Sequence, residues 1–232
     1  MTMANILRRH TSRKRAVLVV RLAMTIVLAV AGGGVLAASQ VGNPEAGALK
    51  ADDERCRECH GDHGEVEGNN ESMKVPRLAG QHPEYLLKQI RDFASGARKH
   101  EFMNRVAADL DPLDAADIIA FYVQHGGKGA RASGPQPRAD IERLYREGDP
   151  ARGVLACAAC HGADGKTSIA QPGVPAELIP VIGGQDRHYL EEQLLNWHSG
   201  SRSNSPAAIM NIAVKSLTTS ELQALAEYLE AL

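Results

Sequence analysis

The chain has 232 residues, is 44% hydrophobic and 4% aromatic, and sets 26 lysines and arginines against 28 aspartates and glutamates, a net charge of −2. This composition excludes intrinsic disorder and collagen-like structure, and the absence of a basic excess argues against nucleic acid as a partner. It allows one large or two small domains, and small domains with so few aromatic side chains need a staple beyond apolar burial.

The N-terminus accounts for part of the charge. Residues 1–21 carry Arg8, Arg9, Arg13, Lys14, Arg15 and Arg21 with no acid, and Leu22 to Leu36 then run apolar into the small residues Ala37, Ala38 and Ser39. The pattern predicts an export signal over residues 1–37, cleaved near Ala37. The competing expectation is an uncleaved anchor. Leu22–Ala38, however, is 17 residues interrupted by Gly32, Gly33 and Gly34, short of the roughly 20 that span a bilayer. Removal of residues 1–37 leaves 20 basic against 28 acidic side chains, a net charge of −8. The expected mature protein is therefore periplasmic and acidic, suited to partners with a positive docking face. Membrane contact is expected only through such partners or through a retained anchor.

After the signal, Asn43-Pro44-Glu45 reads as a cap-then-proline helix start leading to CRECHG, Cys56 to Gly61. Leu86, Ile90, Phe93 and Ala94 fall at helical spacing, with Gly96 as a stop. Met103 lies ahead of a last helix that starts at Asp111-Pro112 and carries Ala115, Ile118, Ile119 and Tyr122. Gly126 to Arg138 is rich in glycine, proline and basic residues and reads as a linker.

The same order of features then recurs. Asp149-Pro150-Ala151 offers a second cap-then-proline start, and CAACHG spans Cys157 to Gly162. Pro76 to Arg98 aligns without a gap on Pro180 to Arg202, matching Pro76 with Pro180, Gly80-Gln81 with Gly184-Gln185, Tyr85-Leu86 with Tyr189-Leu190, Gln89 with Gln193, and Arg98 with Arg202. MNRVAADL (Met103 to Leu110) aligns on MNIAVKSL (Met210 to Leu217), and Thr218 with Glu221 forms a capping-box signature before a final helix. No alternating run is long enough for a strand. The expectation is an all-α protein: signal 1–37, first lobe 38–125, linker 126–140, second lobe 141–232.

Both motifs use two of the chain's four cysteines. Two cysteines three apart on a helical turn present both sulfurs on one side, and a histidine directly after the second can reach an iron between them. That is the pattern of covalent haem c attachment. The alternatives are a zinc knuckle, including one four-cysteine site shared by both pairs, and a redox thiol pair. The repeated histidine counts against the first and the missing βαβ pattern against the second. The prediction is two haem c groups, attached through Cys56 and Cys59 and through Cys157 and Cys160, with His60 and His161 as proximal iron ligands. Met103 and Met210, the methionines in matching register, are expected as distal ligands from non-helical stretches. Met73 has no counterpart, and His63, His100, His125 and His198 are expected at the surface.

These motifs, with PxLxGQxxxYLxxQL in both halves, Ile90 and Ile182 standing in for leucine, and a following G-x-R, resemble the dihaem cytochromes c4 over essentially the whole mature chain. The resemblance implies two class I cytochrome c lobes with haems near their interface and both irons His/Met-ligated. The acidic stretch after the first motif departs from that pattern. Pro76 and Pro180 are expected either to pack on the proximal histidine or to start a helix. Gln81, Gln185, Arg98 and Arg202 are expected at haem propionates or at the other lobe's backbone, and Tyr85, Tyr189, Phe93 and Trp197 in the haem-pocket wall.

Saturated iron implies electron transfer rather than catalysis. The expected function is a periplasmic dihaem carrier between a quinol-oxidising cytochrome complex and a terminal oxidase. The alternatives are the cytochrome subunit of a sulfide- or alcohol-oxidising dehydrogenase and, further away, a dihaem peroxidase. Arg57 and Glu58 replace Ala158 and Ala159, so the two haems are expected to differ in potential.

Overall fold

The computed structural model describes residues 42–66, 72, 74–126 and 138–232. The export signal, Met73 and most of the linker lie outside the described residues. Residues from Val41 onward form one compact unit. The described helices are α1 (Pro44–Asp53), α2 (Arg57–His60), α3 (Pro83–Ala94), α4 (Glu101–Asp109) and α5 (Pro112–Gln124), then α6 (Ala139–Glu147), α7 (Ala158–His161), α8 (Arg187–Ser199), α9 (Ile209–Val214) and α10 (Thr219–Glu230). Among the described residues β structure is limited to two isolated bridges, Asp149 with Val154 and Gln171 with Val174. The two halves therefore run α1 to α5 and α6 to α10.

The helix starts follow the local chemistry. Asn43 accepts from the amides of Glu45 and Ala46, and Asp111 from those of Leu113 and Asp114, satisfying donors that a helix N-terminus leaves open. Thr218 and Glu221 close a full capping box. Asp149 differs from its expected role: with Pro150 it caps only a 3₁₀ turn, Pro150–Arg152, which the left-handed Gly153 ends. The first helix of the second half is α6, ahead of that turn, starting just before the boundary expected at residue 141. A single cap-and-proline signal does not distinguish one turn from a helix, because both leave the same first amides open.

The last helix of each half is buried against the first. In the first half α1 crosses α5 at Gly47, where a Cβ would lie 1.9 Å from the Asp117 carbonyl oxygen. Ala51, Ile118, Phe121 and Tyr122 fill the space beside it. In the second half, Ile141, Leu144 and Tyr145 of α6 pack on Leu222, Leu225, Ala226, Tyr228 and Leu229 of α10 in a larger cluster that reaches Trp197. The Tyr145 hydroxyl donates to the Gly162 carbonyl at 2.6 Å, tying α6 directly to the second cysteine motif.

On α3 the buried stripe is Leu86, Gln89 and Phe93 rather than a purely apolar one. Gln89 is buried because α3 faces the other half through polar side chains.

Candidate cofactor sites and the interface between them

Each cysteine motif forms one short helical turn. The His60 amide donates to the Cys56 carbonyl at 3.0 Å and the His161 amide to that of Cys157 at 3.0 Å, placing both cysteines and the histidine of each motif around a single turn. Both histidines are buried. Their Nδ1 atoms lie 3.1 Å from the Pro76 carbonyl oxygen and 3.0 Å from that of Pro180. A carbonyl can only accept, so Nδ1 carries the proton and Nε2 is left as the free lone pair for a metal. Burial lowers the affinity of both rings for a second proton, while the proline carbonyls act in the opposite sense. Neutral imidazole is the ligating form.

Pro76 and Pro180 are thus neither helix starts nor mere packing residues. Their carbonyls orient the rings, as second contacts of metal-ligating histidines do. The loops that carry them are held by one glycine in each half. Gly64 O accepts from Leu78 N and Ala79 N at 2.8 and 3.1 Å, and Gly165 O from Ile182 N and Gly183 N at 2.8 and 2.9 Å. Gly64 has φ +86° and a Cβ there would approach Ala79 N to 2.9 Å; Gly165 has φ +68° and its Cβ would approach Gly183 N to 2.7 Å. Only glycine fits such a left-handed, crowded position.

None of the four cysteines is in a disulfide. Burial pushes the Cys56 and Cys157 thiols up to about 11, the reverse of what a zinc thiolate or a redox CxxC needs. Nor are the two pairs gathered into one site: among the described residues, no three histidine, cysteine or acidic side chains cluster to hold a metal ion. Two cysteines and one neutral imidazole with a free Nε2 around a single turn, repeated in each half, fit covalently attached haem c.

Met103 and Met210 are both half-buried, and both lie in helices, not in the non-helical stretches expected. Met103 is the third residue of α4 and Met210 the second of α9. Side chains that do not stand out in the sequence accept from the methionine amides. His100 accepts from Met103 N at 3.3 Å, and Ser205 Oγ from Met210 N at 3.2 Å. The two segments differ in that Ala207 and Ala208, just before α9, take left-handed φ of 50° and 54°.

The residue after each methionine, Asn104 or Asn211, anchors it in the same way. Asn104 Nδ2 donates to the carbonyls of Phe93 and Arg98 at 2.6 and 2.8 Å. Asn211 Nδ2 donates to those of Trp197 and Arg202 at 2.7 and 2.9 Å. These asparagines were legible as part of the repeated Met-Asn pair, although no role follows from the sequence alone.

The interface between the halves is polar and nearly two-fold. Arg98 lies over the Phe93 ring at 4.6 Å and Arg202 over the Trp197 ring at 4.3 Å. Arg98 donates to Tyr189 Oη and Gln193 Oε1 of the other half, both at 2.9 Å. Arg202 returns the contact to Tyr85 Oη at 3.2 Å and Gln89 Oε1 at 3.0 Å. The tyrosines expected in the pocket wall thus place their hydroxyls at this seam. Although burial opposes ionisation of Tyr189, Arg98 and Arg202 bring its phenol below its ordinary value. Asn204 and Lys88 extend the seam, with Lys88 Nζ donating to Asn204 O at 2.7 Å. Two buried guanidinium groups bonded to neutral partners leave this seam cationic and suited to carboxylates such as haem propionates.

Gln81 and Gln185 complete the pseudo-symmetry. Gln81 Oε1 accepts from Val181 N at 2.9 Å and its Nε2 donates to Val181 O at 2.9 Å. Gln185 Oε1 accepts from Arg77 N at 2.8 Å and its Nε2 donates to Arg77 O at 3.0 Å. Of the histidines expected at the surface, His63 stacks on His125 with ring centroids 4.4 Å apart, while His100 and His198 are exposed.

Comparison with known proteins agrees with this geometry. The Cytochrome c family matches residues 140–232. The chain is 36% identical to cytochrome c4 of Thiocapsa roseopersicina over 200 residues, covering 86% of this chain and 98% of that protein. It is 34% identical to the thiosulfate dehydrogenase electron acceptor of Thiomonas intermedia, covering 76% of this chain and 77% of that protein. The crystal structure of reduced recombinant cytochrome c4 from Pseudomonas stutzeri superposes with a TM-score of 0.70 at 30% identity, covering 82% of this chain and 99% of that one.

Proposed function

The chain belongs to the dihaem cytochrome c4 family, and on that premise we propose that it works in the periplasm, carrying electrons from a quinol-oxidising complex to a terminal oxidase. It has the two-lobe class I cytochrome c fold, is a c-type cytochrome that transfers electrons, and carries two covalently bound haem c groups. Each haem supplies a site that takes up and releases one electron.

In this reading Cys56 and Cys59 attach the first haem and Cys157 and Cys160 the second. His60 with Met103, and His161 with Met210, are the axial ligands. Residues 38–125 and 141–232 are the lobes, 126–140 the linker, and 1–37 the export signal. The observation that supports it most is the duplicated proximal arrangement, in which each buried histidine keeps Nε2 free by donating Nδ1–H to a proline carbonyl. Met103 and Met210 would supply thioether sulfur, which favours ferrous iron. A histidine and a methionine from the chain would together saturate such an iron, which suits electron transfer rather than substrate binding. Arg98 and Arg202 would supply positive charge to propionate carboxylates.

A spectroscopically monitored redox titration tests the reading. The expected result is two haems per chain titrating at unequal potentials, with Met103→Ala and Met210→Ala each removing about half of the band from methionine sulfur to ferric iron and lowering one potential. An unchanged band in either variant would overturn that ligand assignment. A second reading, the cytochrome subunit of a periplasmic dehydrogenase, gains from the similarity to a thiosulfate dehydrogenase electron acceptor. Copurification with a dehydrogenase would select it.

A further inference from the structure

Resting on the reading that His60 and His161 ligate iron, we propose that Gln81 and Gln185 act as crossed positioning residues, each setting the proximal ligand strength of the haem in the opposite half. Each histidine and the glutamine of the other half meet at one peptide. The Pro76 carbonyl that accepts from His60 Nδ1 and the Arg77 amide that donates to Gln185 Oε1 are the two ends of one peptide bond, at 3.1 and 2.8 Å. The Pro180–Val181 peptide does the same between His161 and Gln81, at 3.0 and 2.9 Å. A planar, resonance-stabilised amide polarises as a unit. A good acceptor on its N–H makes its carbonyl oxygen more negative and strengthens the bond that the oxygen receives.

A stronger bond from Nδ1 makes the imidazole a more basic ligand. More basic nitrogen favours ferric iron. Each glutamine therefore reaches across the seam to hold down the potential of the other half's haem. Both glutamines are buried, so neither bond is shared with bulk water. Each Oε1 is also fixed by the amide that follows it in its own chain, His82 N or Asp186 N, at 3.0 Å. The side-chain amide is thereby locked between the two halves, and relative movement of the lobes would change both proximal ligands together.

The test is a redox titration followed by NMR, which resolves the imidazole resonances of each haem separately, on the holoprotein and on Gln81→Ala, Gln185→Ala and Gln185→Glu. In Gln185→Ala the haem of the first half is expected to gain about threefold in its ferrous-to-ferric ratio at fixed potential, about 28 mV at 59 mV per decade for one electron. The haem of the second half should move much less. Gln81→Ala should reverse the assignment. Gln185→Glu, isosteric and still an acceptor for Arg77 N–H, should move the first haem the opposite way, and more than the second.

A general loosening of the interface would shift both haems alike in both alanine variants, and that result overturns the proposal, as does a shift on the haem of the glutamine's own half. If the His60 and His161 ring protons of the wild type lack the shifts of iron-bound imidazole, the ligand reading falls and takes the coupling with it. Normal ligand shifts with uncrossed potentials defeat the coupling alone.

Discussion

The two halves share one plan and stabilise it by different means. The first half brings α1 against α5 by removing side chain: Gly47 lets the backbones meet, Ala51 is fully buried, and Lys50 bridges Asp114 and Asp117 at the edge. The second half fills the equivalent space with bulk, packing Tyr145 and Tyr228 at 5.3 Å between ring centroids. It then ties α6 to its cysteine motif through Tyr145, and the turn Pro150–Arg152 to α10 through Arg152 and Glu221, 2.8 Å apart. A repeat thus conserves the positions that face the cofactor, while the far side of each lobe is free to solve packing independently. Among the described residues the first half has the smaller apolar cluster, so it is expected to depend more on its haem.

The largest expected effect follows from that difference. Replacing Cys56 and Cys59 by alanine should remove the first haem and most of the helical signal of the first half, because binding free energy of a buried group is folding free energy. The same change at Cys157 and Cys160 should leave more of the second half folded. Haem-to-protein ratio and far-UV circular dichroism measure both, and equal losses would break the comparison.

A smaller effect separates two of the buried tyrosines, Tyr145 and Tyr122. Tyr145→Phe forfeits the bond to Gly162 and should cost about 1–2 kcal/mol in denaturant unfolding. The Tyr122 hydroxyl is buried with no hydrogen-bond partner among the described residues, so Tyr122→Phe should stay within about 0.5 kcal/mol or gain stability. A larger loss at Tyr122 would contradict that assignment.

The smallest effect is on the acid limb. The Arg152 guanidinium, with the Thr218 amide and hydroxyl, lowers the Glu221 carboxyl from 4.5 to about 2. A carboxyl whose folded value is depressed contributes stability above its unfolded value and loses it as pH falls towards the folded one. Glu221 should therefore add stability at neutral pH that disappears between about pH 4.5 and 2, modestly, because the pair is partly exposed and screened. Unfolding curves of Glu221→Gln should run below wild type at pH 7 and meet it near pH 2. Coincident curves throughout would remove this tie from the second half.

Much of the site could be read from residue order. The two CxxCH motifs, the ungapped alignment of Pro76–Arg98 on Pro180–Arg202, and the caps at Asn43, Asp111 and Thr218 depend on neighbours in sequence, and the structure bears out those caps. The reading went astray where a signal was local but its outcome was not. Asp149-Pro150 starts a single turn, and both methionines lie in helices, Met103 in one that His100 caps. Asn104 and Asn211 were visible as repeated letters, yet their use depends on carbonyls brought close only by folding.

The sequence by itself determined the cofactor chemistry and the all-helical, two-fold plan, because thiol spacing, histidine position and helix periodicity are properties of a few consecutive residues. The tertiary structure decided what the duplicated polar residues do. Gln81, Gln185, Arg98 and Arg202 each find partners about a hundred residues away in the other half. Such pairings become favourable only when two folded surfaces exclude water together, since a buried amide or guanidinium left without its distant partner costs more than the bond returns.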